Sequence, residues 1–258
     1  MKKTQQTDLK INLPANFLAS DFCNRFKLVV ANTTKLQEEV YRIRYEVYCQ
    51  ELGYENEEQY PEGKEQDVYD IRSIHCLLHH RASGLYAGCV RLVFPAMRSH
   101  EAKLPFERVL GDSWRSGSRE LRNLSLHSIG EVSRLTVLSK FRKRQVEAAS
   151  NFSDDESCYF PLIPLGLYLA ATSIAFEMKL DSVFALMEPQ LSRHFARFGI
   201  HFHQVGELVE FYGQRGLYQI DKEAILSAME PSTENLFQWC RTEVKKSLKN
   251  CPPAIRAA

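Results

Sequence analysis

Ile129 to Arg144, IGEVSRLTVLSKFRKR, holds three chemically different segments in sixteen residues. Glu131 and Arg134 come first. Leu135-Thr136-Val137-Leu138, aliphatic and β-branched, then reads as a buried strand, and Lys140, Arg142, Lys143 and Arg144 follow as a basic turn. A carboxylate where a strand begins and positive charge where it ends suit a proton acceptor and an anionic partner. The same residues also make an ordinary core strand with a solvated turn, and this stretch alone leaves both readings open.

Upstream, Phe22 to Ala31 predicts a first strand. Thr33 and Thr34 can cap a helix whose Leu36, Val40, Ile43 and Val47 share one face, and Gly53 ends it. Arg44 lies beside that apolar stripe with Tyr41, Tyr45 and Tyr48; it is either a snorkelling side chain among core tyrosines or part of a site. Tyr54 to Tyr69 has no period and reads as a long loop. Two strands, Ser73 to His80 and Tyr86 to Phe94, predict a hairpin, and Arg91 inside the second needs solvent or a carboxylate.

Downstream, Glu147 to Ser157 reads as an acidic insertion, Leu165 to Lys179 as a helix and Ser182 to Met187 as a strand. Glu188-Pro189 opens a helix ended by Gly199, strands follow around Ile200 to Val205 and Val209 to Tyr212, and two amphipathic helices close the chain. This order predicts an α/β fold, a mixed central sheet with helices on both faces. The expected division is a loose lead-in over 1–20, one domain over 21–230, and a C-terminal helix and tail over 231–258.

Composition narrows the function classes. With 44% hydrophobic and 25% charged residues the chain has an ordinary globular balance, and 33 Lys and Arg against 32 Asp and Glu give no global basic excess for nucleic acid. Charge is local instead: Glu51, Glu55, Glu57, Glu58, Glu62, Glu65, Asp67 and Asp70 face only Lys64 between positions 51 and 70, whereas the turn after Leu138 is basic. The two regions are expected to favour partners of opposite sign. Seven scattered cysteines without a C-x-x-C pair predict a reducing, cytoplasmic setting and no metal site. The N-terminus lacks the apolar core of a secretory signal, and Pro161 to Phe176 is shorter than the roughly 20 residues of a membrane span, so it reads as a buried helix. There is no Walker loop, G-x-S-x-G or G-x-G-x-x-G, which leaves the acids and arginines to carry any chemistry.

The ordered set Arg44-x3-Tyr48-x5-Tyr54, Asp67-x2-Asp70, Arg91 within Gly88 to Leu92, Phe106, and Glu131-x2-Arg134 resembles the pattern of acyl-homoserine-lactone synthases, which have a GNAT-like fold. A closer resemblance runs from about Phe26 to Tyr218. It is to the PEP-CTERM/exosortase system-associated acyltransferases and N-acyl amino acid synthases, through Pro161-Leu162, Met187-Glu188-Pro189, Arg197-x-Gly199 and Tyr212-Gly213-Gln214-Arg215. It implies a GNAT-like acyltransferase that moves a long acyl group from a thioester to the amine of an amino acid or similar small acceptor. The donor implied is acyl carrier protein with its phosphopantetheine arm, or acyl-CoA, with no tightly bound cofactor. Tyr48 and Tyr54 stand where the lactone synthases have Phe and Trp, so S-adenosylmethionine need not be the acceptor.

The chemistry of the residues agrees with that implication. An amine attacks a thioester only after losing a proton, and a buried carboxylate is a suitable base, with Glu131 the first choice. Arg134 either orients it or holds the acceptor's carboxylate. Arg44 and Arg91 are expected to hold Asp67 and Asp70, with Tyr48 and Phe106 completing the substrate side, while Lys140, Arg142, Lys143 and Arg144 would meet the carrier. A purely structural ion-pair network is the competing reading of the arginines and acids, and a non-catalytic acyl-binding module that of the whole chain.

Overall fold

The computed structural model describes residues 19–95, 103–111, 114, 124–125, 128–142 and 157–249. Lys143, Arg144, most of the expected lead-in and the insertion from Glu147 to Glu156 lie outside the described residues. Seven strands form one sheet: β1 (Phe26–Val30), β2 (Ser73–His80), β3 (Tyr86–Val93), β4 (Ile129–Val137), β5 (Ser182–Met187), β6 (His203–Glu210) and β7 (Gln214–Asp221). Their spatial order is β1-β2-β3-β4-β5-β7-β6. Every neighbouring pair is antiparallel except β4 and β5, which are parallel, so the sheet is mixed as its sequence order suggested.

Helices cover both faces. On one lies α2 (Thr34–Tyr45), whose N-cap Thr33 accepts a bond from the Leu36 amide and whose Val40 and Ile43 are buried. Its last turns continue as a π-helix over Glu46–Glu51 before Gly53 turns the chain at φ +63°. Against the other face packs α5 (Ile163–Glu177), apolar on all sides, and α8 (Pro231–Lys249) packs on it in turn. A helix sandwiched between a sheet and another helix has no solvent face to keep polar. The segment Phe160–Glu177 is therefore long and apolar enough to cross a membrane by length and composition, yet 83% of it is buried inside the fold. The described residues also form the short helices α3 (Pro105–Leu110), α4 (Ser139–Arg142), α6 (Pro189–Ala196) and α7 (Lys222–Ala228).

Four expectations change. Phe22 to Arg25 belong to a helix, α1 (Ala19–Arg25), rather than to the first strand. The Phe22 ring packs where a side chain on Gly166 of α5 would stand, a contact local periodicity cannot reveal. The strands expected near Ile200 and Val209 are one strand, β6, with a register shift between Val205 and Val209 around Gly206 at φ +75°. Its partner β7 was not expected; the two meet through Phe211-Tyr212-Gly213, where Tyr212 and Gly213 take φ +51° and +97°. Finally, β4 already includes Glu131 and Arg134, so the carboxylate lies inside the strand and not before it.

Candidate active site

The chemistry-bearing side chains gather on one face of the sheet because of an irregularity in β4. Arg91 pairs with Ser133 and Cys89 with Thr136, so two residues of β4, Arg134 and Leu135, oppose one of β3. Arg134 has φ +50°. A bulge of this kind reverses the alternation of side chains. Glu131 and Arg134, three apart, would otherwise point to opposite faces; here Arg134 joins the acids that Arg91 also meets.

Those acids come from the long loop. Arg91 Nη1 donates to Asp67 Oδ1 and Asp70 Oδ1 at 2.6 Å each, its Nη2 to Asp67 Oδ2 at 2.8 Å, and its Nε to Ser133 Oγ at 2.9 Å. From α2, Arg44 donates through Nη1 to Asp70 at 2.7 Å and through Nε to Glu65 at 2.5 Å. Arg134 Nη2 reaches Glu55 at 3.0 Å and Glu65 at 3.1 Å, with Asp67 at 3.5 Å. The expected pairing of Arg44 and Arg91 with Asp67 and Asp70 is thus present. Arg134 turns to Glu55 and Glu65, and no bond links it to Glu131.

Glu65 and Glu55 escaped the sequence reading because eight acids in an aperiodic loop give no sign of which ones turn inward. Burial pushes the Glu65, Asp67 and Asp70 carboxyls up, and the guanidinium charges override it, so all three fall below the usual carboxylate range. His75, buried opposite Arg91 in β2, is pushed down to about 3 by burial, against the attraction of Asp70, and is neutral. Around Arg134 stands an aromatic wall. Its guanidinium lies 5.0 Å from the Tyr48 ring, Tyr48 stacks on Tyr54 at 6.3 Å, and Tyr54 stacks on Tyr212 of the β6–β7 turn at 4.8 Å.

Glu131 is different. Only 2% exposed, it accepts one bond among the described residues, at 2.8 Å from the Phe106 amide at the start of α3. Burial lifts its pKa to about 8, and the Phe106 amide and the charge of Arg91 only partly offset this. Phe106 itself, expected to touch substrate, packs edge-on to Trp114 at 5.0 Å and against Phe184 at 5.2 Å. With Ile129 and Leu217 these rings belong to a second apolar cluster, separate from the main core. Beside Glu131 the sheet opens: β4 and β5 pair only over Ile129–Glu131 and Ser182–Phe184, then part.

The basic turn is partly spent. Arg142 forms an ion pair with Glu51, which also accepts from the Ser139 amide, so the acidic and basic segments expected to seek separate partners meet each other here. Lys140 is exposed. A cleft of about 620 Å³ reaches Asp67 and Asp70 from the side of β1 and α2; Asn32, Gln37, Tyr41 and Ser73 line it, and Glu131 does not. Among the described residues no group of three or more His, Cys, Asp or Glu is arranged to hold a metal ion.

The acetyltransferase (GNAT) domain family matches residues 43–150, which span β2 to β4 and the whole ion-pair cluster. No curated protein sequence matches the chain. Among solved structures, TofI in a ternary complex with an inhibitor and MTA is similar with a TM-score of 0.56 at 19% identity, over 84% of this chain and 99% of TofI. BjaI, a CoA-dependent acyl-homoserine lactone synthase with SAM and isopentyl-CoA, gives 0.55 at 16%, over 87% of this chain and 99% of BjaI. The AHL synthase LasI gives 0.50 at 14%, over 80% and 96%. The fold is therefore GNAT-like α/β, as the resemblance implied.

Proposed function

We propose that this chain is an N-acyltransferase, with residues 21–230 as its acyltransferase domain, that joins a long acyl group from a thioester to the amine of an amino acid or similar small acceptor. The observation that carries the reading is Glu131, a buried carboxyl without an ion-pair partner among the described residues, at the point where β4 and β5 separate, with a pKa of about 8. A base of that strength takes a proton from an alkylammonium and still ionises near neutral pH. The opening between the strands gives a thioester arm a path along free β4 backbone, and the aromatic cluster of Phe106, Trp114 and Phe184 gives an acyl chain an apolar berth.

The acceptor's own carboxylate has candidate donors. Arg44 Nη2 and Arg134 Nε are buried without hydrogen-bond partners among the described residues, near Tyr48. In this reading Glu131 deprotonates the amine, Arg134 and Tyr48 hold the acceptor, and Arg44 and Arg91 fix Asp67 and Asp70 as the wall behind it. Lys140, with Arg142, Lys143 and Arg144, meets the acidic carrier protein; acyl-CoA is the alternative donor, supported by the isopentyl-CoA bound to BjaI. A cytoplasmic location and a PEP-CTERM/exosortase setting belong to the same reading. The second reading is lactone synthesis from S-adenosylmethionine, which the SAM of BjaI supports.

The test is thiol release. Purified protein with acyl-carrier or acyl-CoA donors and a panel of amino acids should release thiol and form an N-acyl product visible by mass spectrometry. Product that forms only with S-adenosylmethionine, with lactone release, favours the second reading. No thiol release with any donor and acceptor leaves an acyl-binding module.

A further inference from the structure

Tyr69 is placed in no role above, yet its surroundings single it out. It sits between Asp67 and Asp70 in sequence, and its backbone is fixed: its amide donates to Asp67 Oδ1 at 2.9 Å, and its carbonyl accepts from Ser73 Oγ at 2.7 Å. The side chain turns away from the acids into the apolar cluster of Phe106, Ile129 and Phe184, where the residue is 7% exposed. Three guanidinium groups stand around the ring, Arg72 and Arg108 at 5.1 Å and Arg91 at 5.7 Å from its centroid. The hydroxyl has no hydrogen-bond partner among the described residues.

A buried phenol without a partner is uncommon, because its lost hydration is not replaced. Three neighbouring polar groups are engaged elsewhere: Arg91 on Asp67, Asp70 and Ser133, Arg72 on the carbonyls of Phe94 and Lys103, and Glu131 on the Phe106 amide. The cluster around Tyr69 includes Phe106, whose amide donates to Glu131, and Ile129, two residues before Glu131 on β4, so the ring lies beside the proposed base. Burial raises the hydroxyl's pKa above the usual tyrosine value, which keeps it a donor at neutral pH.

We infer that the Tyr69 hydroxyl donates a hydrogen bond to the thioester carbonyl oxygen of the acyl donor and stabilises the oxyanion formed when the amine attacks. This rests on the acyl-transfer reading above. The acceptor's ammonium first gives one proton through Glu131 to solvent; Glu131 then takes a second proton from the nitrogen as the C–N bond forms and the carbonyl π electrons move onto oxygen, and the oxyanion collapses to break the C–S bond. The proton held by Glu131 leaves with the thiolate as thiol. Tyr69 neither gains nor loses a proton in this cycle; it offers a donor in a site of low polarity, with three guanidinium groups behind it.

Tyr69→Phe removes one oxygen and keeps the ring. Loss of a single oxyanion donor is expected to lower kcat about 10²- to 10³-fold. The donor's KM should change less than about twofold, and because the oxygen satisfies no bond among the described residues the melting temperature should hold or rise. A second readout needs no turnover: the infrared carbonyl stretch of a bound ¹³C-labelled acyl thioester, measured without acceptor, should be lowered in wild type and return toward its free value in Tyr69→Phe. Wild-type rates with Tyr69→Phe, an unchanged carbonyl stretch, or a fall in both melting temperature and activity would each overturn the inference. A wild type that binds donor but transfers to no acceptor would remove the acyl-transfer reading instead, and the carbonyl stretch would still decide the role of Tyr69.

Discussion

Glu65 and Asp70, 0% and 6% exposed, are buried about as deeply as Glu131 at 2%, on the same face of the sheet, yet burial has opposite outcomes. Glu65 and Asp70 each lie within 3.1 Å of two guanidinium groups and fall below the ordinary carboxylate range. Glu131 has one backbone amide and rises to about 8. Depth alone does not set a carboxyl's charge state; the number of cations within hydrogen-bond reach does. One region is thereby suited to hold shape and the other to move a proton.

The comparison breaks most readily at Asp70. Asp70→Asn leaves Arg44 and Arg91 facing each other with one charge fewer between them, and unfolding in urea should show a loss of about 3–5 kcal/mol. A loss below about 1 kcal/mol would mean the cluster does not depend on pairing. Glu131→Gln should match wild type below about pH 4.5, where the acid is neutral folded and unfolded, and should be the more stable of the two near neutral pH, because wild type must then keep neutral a carboxyl that ionises on unfolding.

Stability against pH sharpens the contrast. The lowered Asp70 contributes stability that is present above its unfolded pKa and is lost as pH falls below the ordinary carboxylate range. The raised Glu131 does the reverse: its contribution is full below about 4.5 and is lost as pH rises through about 8. Denaturation midpoints from about pH 2 to 9 should therefore fall away on both sides of about pH 4.5, with Asp70→Asn flattening the acid side and Glu131→Gln the fall toward pH 8. The smallest effect is expected at the rim. Arg142 is 40% exposed, and Arg142→Ala should cost under about 1 kcal/mol.

Much of the frame was legible in the sequence, because strand alternation, the helix stripe of Val40 and Ile43 and the apolar run of α5 are local signals. Arg44, Arg91, Asp67 and Asp70 could be picked out as charges on or beside buried elements, which need partners. What escaped depends on distant contacts. The bulge that turns Arg134 toward Glu65 carries no marker residue, since Arg134 holds a positive φ without glycine. Phe22 looked like a strand residue until its ring met Gly166, and β7 was hidden because QRGLYQID alternates poorly.

The central claim is that Glu131 acts as the base because it is buried with no cation in hydrogen-bond reach among the described residues. It is tested most directly by the pH dependence of kcat for acyl transfer, followed by thiol release at saturating donor and acceptor. The account predicts a rate that rises with pH and levels off through an apparent pKa of about 8 in wild type, and a fall of at least about 10²-fold with loss of that limb in Glu131→Gln. A Glu131→Gln enzyme that keeps wild-type rate and the same pH profile would contradict it.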